Sequence, residues 1–268
     1  MSSSLPLRVA RKLARCNLGW LVRSHSAWVA WRGGVVSFTF DDFPKSALSA
    51  GGAVLAEHRV HGTYYAALGL AGTHDLLGEM FEPDDIRAAA AQGHEVACHT
   101  FQHLNCNRTP TPRILADIDE NAATLAALMR GFEPVNFAYP YGELSLAAKR
   151  ALGERFVTCR GIGRGLNCGT TDLADLRATK IHNEGFDLAA FRDLIDRNCA
   201  LGGWLIFYTH DVCDSPSPYG CTAAQLDAIV AYATGRCDVL PVRDVVAGLG
   251  LGNTGRRAPV QLHQEKAA

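Results

Sequence analysis

No stretch of this 268-residue sequence approaches the roughly 20 consecutive apolar residues that a membrane span needs. The opening Met1-Ser-Ser-Ser-Leu-Pro-Leu-Arg8 also lacks the unbroken apolar core of a secretory signal, because Arg8, Arg11, Lys12 and Arg15 interrupt every candidate run. Those two absences make a cytoplasmic location the expectation. Nine cysteines are present, but in odd number, at irregular spacing and without one C-x-x-C. That pattern argues for free thiols in a reducing compartment rather than a disulfide framework or a zinc–thiolate site. Cys213 and Cys221 form the one local pair whose spacing invites a bridge. A net charge of −1 removes the usual reason to expect a nucleic-acid partner. There is no internal repeat and no linker-like stretch, so one domain is expected.

Three regions differ in composition. Residues 1–33 carry Arg8, Arg11, Lys12, Arg15, Arg23 and Arg32 with no acid, and Leu5, Val9, Leu13, Cys16 and Trp20 recur at helix-like spacing. We read them as a basic amphipathic N-terminal helix. It is expected to pack on its own domain, and an alternative is peripheral contact with an anionic membrane surface. Residues 251–268 are polar and read as a disordered tail. Between them, over 34–250, short apolar strands alternate with helical segments. Gly34–Phe40, Gly62–Ala67, His94–Cys98, Val135–Ala138 and Trp204–Tyr208 read as strands. Pro83–Gln92 and Pro112–Arg130 are helices with proline near the start and glycine just beyond the end. Thr222-Ala-Ala-Gln225 is a capping box. Seven or eight such units predict an α/β fold with parallel strands covered by helices. A barrel and an open doubly wound sheet both fit, although no Gly-x-Gly-x-x-Gly follows the first strand.

Active sites of parallel α/β proteins lie at the carboxyl ends of the strands. Asp41-Asp42 follow the first strand of the middle region, and His99-Thr-Phe-Gln-His103 follow the strand at 94–98. Pro140-Tyr141-Gly142 follow the next, and Thr209-His210-Asp211 follow Trp204–Tyr208. The i, i+4 spacing of His99 and His103 puts two imidazoles on one side of a helical turn, where they can share a metal. Thr100 rules out the H-E-x-x-H of zinc proteases. Taken alone, H-x-x-x-H is more often plain surface or core, and Asp-Asp-Phe-Pro is ordinary turn chemistry. A glycosidase pair would need carboxyls about 5 to 9 Å apart across a sugar, whereas neighbouring side chains at a strand end diverge. One carboxylate on a metal and the other acting as a base fits better. His210 then offers a general acid, since an ordinary imidazole pKa of about 6.5 suits proton donation near neutrality.

Together Thr39-Phe-Asp-Asp42, His99-Thr-Phe-Gln-His103, Phe137-Ala-Tyr-Pro-Tyr-Gly142 and Leu205-Ile-Phe-Tyr-Thr-His-Asp-Val212 resemble the motifs of the polysaccharide deacetylase family (carbohydrate esterase family 4, the NodB-homology fold). The resemblance spans roughly 34–248. It implies an irregular (β/α)7 barrel with one divalent metal on Asp42, His99 and His103, zinc first and cobalt, nickel or manganese as alternatives. It also implies Asp41 as general base, His210 as general acid and the Tyr141 backbone N–H as an oxyanion donor. Two features of the family are missing. An arginine that in many members contacts the base, two residues before the motif's proline, is Ala138 here. The aspartate segment that tunes the catalytic histidine is not recognisable, though Arg160, Asp172, Asp175 and Arg177 lie in the right stretch. The expected function is removal of N-acetyl, alternatively O-acetyl, groups from an amino-sugar glycan or glycolipid. The alternatives are a small amide or imide substrate, or a catalytically dead sugar-binding protein.

Overall fold

The computed structural model describes residues 22–251. Twelve strands appear in order: β1 (Ser26–Val29), β2 (Val35–Asp41), β3 (Thr63–Ala66), β4 (His74–Asp75), β5 (Gly78–Glu79), β6 (Glu95–Cys98), β7 (Asn136–Ala138), β8 (Thr158–Arg160), β9 (Gly169–Asp172), β10 (Thr179–Lys180), β11 (Trp204–Thr209) and β12 (Asp238–Val239). Seven α-helices separate them: α1 (Ala53–Glu57), α2 (Pro83–Ala91), α3 (Thr111–Leu128), α4 (Leu146–Arg155), α5 (Leu188–Leu201), α6 (Ala223–Thr234) and α7 (Val242–Gly248). Eight strands form one parallel sheet in the order β10-β11-β2-β3-β6-β7-β8, with β12 also on β2. The sheet curls into the irregular, incompletely closed barrel that the family resemblance implies. The 173–176 segment covers its β8 edge: Cys159 N–H donates to the Leu173 carbonyl, Leu176 N–H to that of Cys159, and Gly161 N–H to that of Leu176, at 2.7–2.9 Å.

Strand side chains alternate between the two faces, and the alternation sorts chemistry. Val36, Phe38 and Phe40 of β2 join Leu205 and Phe207 of β11 against Ile195 of α5 and Leu226 and Ile229 of α6, in the main apolar core. The opposite face is mixed: Val35, Trp204 and Ile206 join a second apolar cluster, and polar side chains stand beside them. Ser37 Oγ accepts from Trp204 Nε1 at 2.9 Å, and Thr63 Oγ1 donates to Glu95 Oε2 at 2.8 Å. Glu95 Oε1 takes the Asn136 amide at 2.6 Å, whose oxygen accepts from Thr158 Oγ1 at 2.7 Å. Such groups are tolerated in the interior because each finds a partner. At the carboxyl ends this inner face presents Asp41, Tyr65, Ala138, Arg160 and Tyr208, all buried.

Helix boundaries follow their caps. Asp187 accepts from Ala190 N–H and opens α5, Gly202 in the left-handed region closes it, and the Thr222/Gln225 capping box opens α6. The amphipathic pattern at residues 5–20 and the tail from 252 lie outside the described residues. The end of the segment read as a leader is not helical: β1 pairs antiparallel with β9, Trp28 opposite Thr170, burying Val29 and leaving Trp28 exposed. Its period-two burial suits a strand better than a helix. All eight cysteines of the described residues are free, Cys213 and Cys221 included. No helix among the described residues is long and apolar enough to cross a membrane.

Candidate active site

β2 ends at Asp41, and the chain turns at once through Asp42 and Phe43 with φ of 60° and 64°. After β6, Thr100 and His103 have φ of 62° and 51°, and after β7 Tyr141 has φ of 61°. These five are most of the seven non-glycine residues with positive φ among the described residues. Each costs backbone energy that only the surrounding structure can offset. The strain gathers at the carboxyl ends of three strands. His99 and His103 therefore converge from a loop rather than from the helical turn their spacing suggests, because two left-handed residues reverse the chain between them.

The loop is pinned from below. Asp117 of α3, fully buried, accepts from the N–H groups of Phe101 at 2.7 Å and Gln102 at 3.0 Å. One turn on, Asn121 accepts from Leu68 N–H at 2.9 Å and donates to the Ala66 carbonyl at 3.2 Å. Neither residue stands out in a search for motifs. Their signal is positional: two polar residues at i, i+4, in phase with buried Ile114, Ile118 and Leu125.

The six residues singled out from the sequence come together. Asp42 Oδ1 lies 3.0 Å from His103 Nε2 and 3.5 Å from His99 Nε2, and Asp42 Oδ2 lies 3.9 Å from His210 Nε2. One ligand atom from each of Asp42, His99 and His103 falls within 4.8 Å of the others. The Tyr141 ring covers His103, centres 4.5 Å apart, and is 59% exposed. His210 Nδ1 donates to the Tyr219 carbonyl at 3.1 Å.

Whether these donors suit a cation can be judged from their protons. His99 Nδ1 faces the Ala138 carbonyl at 2.8 Å and so carries the hydrogen. Burial pushes the His99 pKa down to about 4, leaving the ring neutral near pH 7 with a bare Nε2 lone pair. That lone pair faces a carboxylate oxygen which is itself buried and makes no hydrogen bond. Burial would raise the Asp42 pKa, but the adjoining His103, with His99 and His210 behind it, outweighs burial and holds the group well below the usual carboxylate range. A bare His99 Nε2 facing a carboxylate oxygen, with its second nitrogen anchored on backbone, is the arrangement of a cation site.

The family model described as polysaccharide deacetylase matches residues 30–155. That match covers just under half of the chain. Among solved structures, a putative polysaccharide deacetylase from Mycobacterium smegmatis matches at 17% identity over 91% of this chain and 100% of that one, with a TM-score of 0.61. PdaA of Bacillus subtilis, a family 4 carbohydrate esterase, matches at 14% over 83% and 85%, with a TM-score of 0.55. A family 4 acetyl xylan esterase from Clostridium thermocellum matches at 17% over 81% and 92%, with a TM-score of 0.54. These likenesses establish a shared fold. No curated protein matches the chain.

Asp41 and His210 are each met by a residue outside the matched segment 30–155. Asp41 Oδ1 is met at 2.5 Å by Arg160 Nη2, from β8. Among the sequence candidates for the lost aspartate, Asp172 and Asp175 are engaged elsewhere, 2.8 and 3.4 Å from Lys149 Nζ. With Arg177 they line a separate cavity of about 470 Å³ that none of the six site residues reaches. His210 is oriented by a backbone carbonyl instead of a carboxylate.

Proposed function

We propose that the protein is a metal-dependent deacetylase that hydrolyses the N-acetyl group of an amino sugar in a glycan or glycolipid. One observation carries the reading: Asp42, His99 and His103 present their ligand atoms within 4.8 Å of each other, with the Asp41 and His210 side chains beside them. The family of residues 30–155 supports the carbohydrate substrate. Similar solved structures include one with a cobalt ion and one, from Streptomyces lividans, in complex with acetate.

A divalent cation held by Asp42, His99 and His103 would polarise the acetyl carbonyl and acidify water. Asp41 accepts the proton of the attacking water as its oxygen bonds to the carbonyl carbon. The Tyr141 backbone N–H stabilises the oxyanion. When the carbon–nitrogen bond breaks, His210 delivers a proton to the departing amine, giving acetate and a free amino sugar. Without that proton an amine anion would have to leave, so amide hydrolysis near neutrality needs the acid as well as the base.

The test is acetate release from N-acetyl sugars of graded length, with Zn²⁺, Co²⁺ or Ni²⁺ supplied, for the wild type and Asp41→Asn. The variant should keep its metal while kcat falls by about 10² to 10⁴-fold. Release from no member of the panel by the metal-loaded wild type would sink the proposal.

A further inference from the structure

The guanidinium of Arg160 occupies a site built to hold it in one plane. It is fully buried, lying over the rings of Tyr65 at 5.2 Å and Tyr208 at 5.1 Å from their centres. Nη2 donates to Asp41 Oδ1 at 2.5 Å and Nη1 to the Gly161 carbonyl at 3.2 Å. Tyr65 stands beside Asp41 in the β2–β3 register, and Ala138 stands beside Arg160 in the β7–β8 register. Thus Ala138, the position where the family's arginine is missing, lies next to an arginine supplied by the neighbouring strand. Tyr65, Ala97 and Ala138 pack together beneath it.

Burying an arginine and an aspartate is costly unless both are paired and satisfied. Here Nη2 is met by a carboxylate, Nη1 by a carbonyl and the guanidinium carbon by two aromatic rings, while Nε is buried without a partner. Holding Oδ1 leaves the other carboxylate oxygen as the free proton acceptor and fixes the plane in which it works.

We propose that Arg160 is the positioning residue for Asp41, supplying from β8 the guanidinium whose usual strand, β7, carries Ala138. The inference rests on the reading of Asp41 as proton acceptor. It also separates shape from charge. A lysine would keep the positive charge but has neither the flat face that lies over the two tyrosine rings nor the paired donors.

The experiment compares the full chain, loaded with Zn²⁺, as wild type, Arg160→Met and Arg160→Lys. Expected are a kcat loss of about 100-fold in Arg160→Met and at least about tenfold in Arg160→Lys, with KM within threefold and zinc content unchanged. Guanidinium added to Arg160→Met should restore part of the kcat, as no purely structural role would require. If Arg160→Met fails to fold, Arg160→Lys decides on the same criteria, since it retains the buried charge. A kcat within twofold of wild type in Arg160→Lys, or a loss that follows the loss of zinc, overturns the proposal. Crystal structures of wild type and Arg160→Lys give a readout independent of turnover: the Asp41 carboxylate should be turned in the variant. If the wild type hydrolyses no acetylated sugar, the deacetylase reading fails. The role of Arg160 is then still decided by that orientation, and an unmoved Asp41 overturns it.

Discussion

His210 shows how a residue's neighbours define its work. Its Nδ1–H is committed to the Tyr219 carbonyl, which leaves Nε2, 3.9 Å from Asp42 Oδ2, facing the site. A carbonyl orients the imidazole without adding a full negative charge behind it. If His210 delivers the proton to the leaving group, the need for it should scale with how poor that group is. Replacing it by asparagine should lower kcat on an N-acetyl sugar by about 10² to 10³-fold. An aryl acetate, whose phenolate leaves unaided, should lose less than about tenfold. Comparing the two substrates on His210→Asn checks this, and equal losses on both would remove His210 from the role of acid.

At the scale of elements, several strand ends are fastened to a helix or a neighbouring loop by a polar side chain. Asp117 and Asn121 of α3 do this after β6 and β3. His94 does it at the opposite end of β6, where its Nδ1 accepts from Gly62 N–H at 3.0 Å and its ring packs edge-on against Tyr64. Burial pushes the His94 pKa down to about 4. An unfolded chain binds that proton near an ordinary pKa of about 6.5, so on acidification it takes up the proton before the native state does. Stability from this group is therefore intact above about pH 6.5 and lost progressively as pH falls towards 4. The urea midpoint should drop over that window, and less so in His94→Asn, whose amide oxygen can still accept from Gly62. Parallel pH dependences for the two proteins would show that His94 contributes nothing to it.

For the whole molecule, the proposed metal would tie together the loops after β2 and β6. Its ligands assemble only on folding, so binding adds to the free energy of the native state. At free Zn²⁺ near 100 times Kd the gain is about 2.7 kcal/mol, which for a domain of this size raises Tm by roughly 5 to 10 °C. Calorimetry of the wild type with Zn²⁺ and with chelator should show this shift, and Asp42→Ala should abolish most of it. An Asp42→Ala protein with the full zinc-dependent shift would place the cation elsewhere.

The alternation of strands and helices, the caps at Asp187 and Thr222, and the identity of the strand-end residues are all written in local sequence. Apolar runs, capping residues and glycines act within a few residues of each other. The rule that strand ends meet on one side of a parallel sheet then gathers Asp41, Asp42, His99, His103, Tyr141 and His210 without knowledge of the strand order. What joins those ends to distant segments needed the tertiary structure. Arg160 reaches Asp41 only because β8 lies beside β7 and the sheet curls β11 round to place Tyr208 against the guanidinium. The Tyr219 carbonyl behind His210 and the loop between His99 and His103 depend likewise on chain reversals, not on any motif. The polar part of the inner face was faintly legible in the Ser-Phe-Thr-Phe-Asp alternation of β2, which reads first as one buried run. Sequence thus determined which groups stand at the site, through short-range rules. Tertiary structure decided which group holds which, because those contacts are set by strand order and by the closing of the sheet on itself.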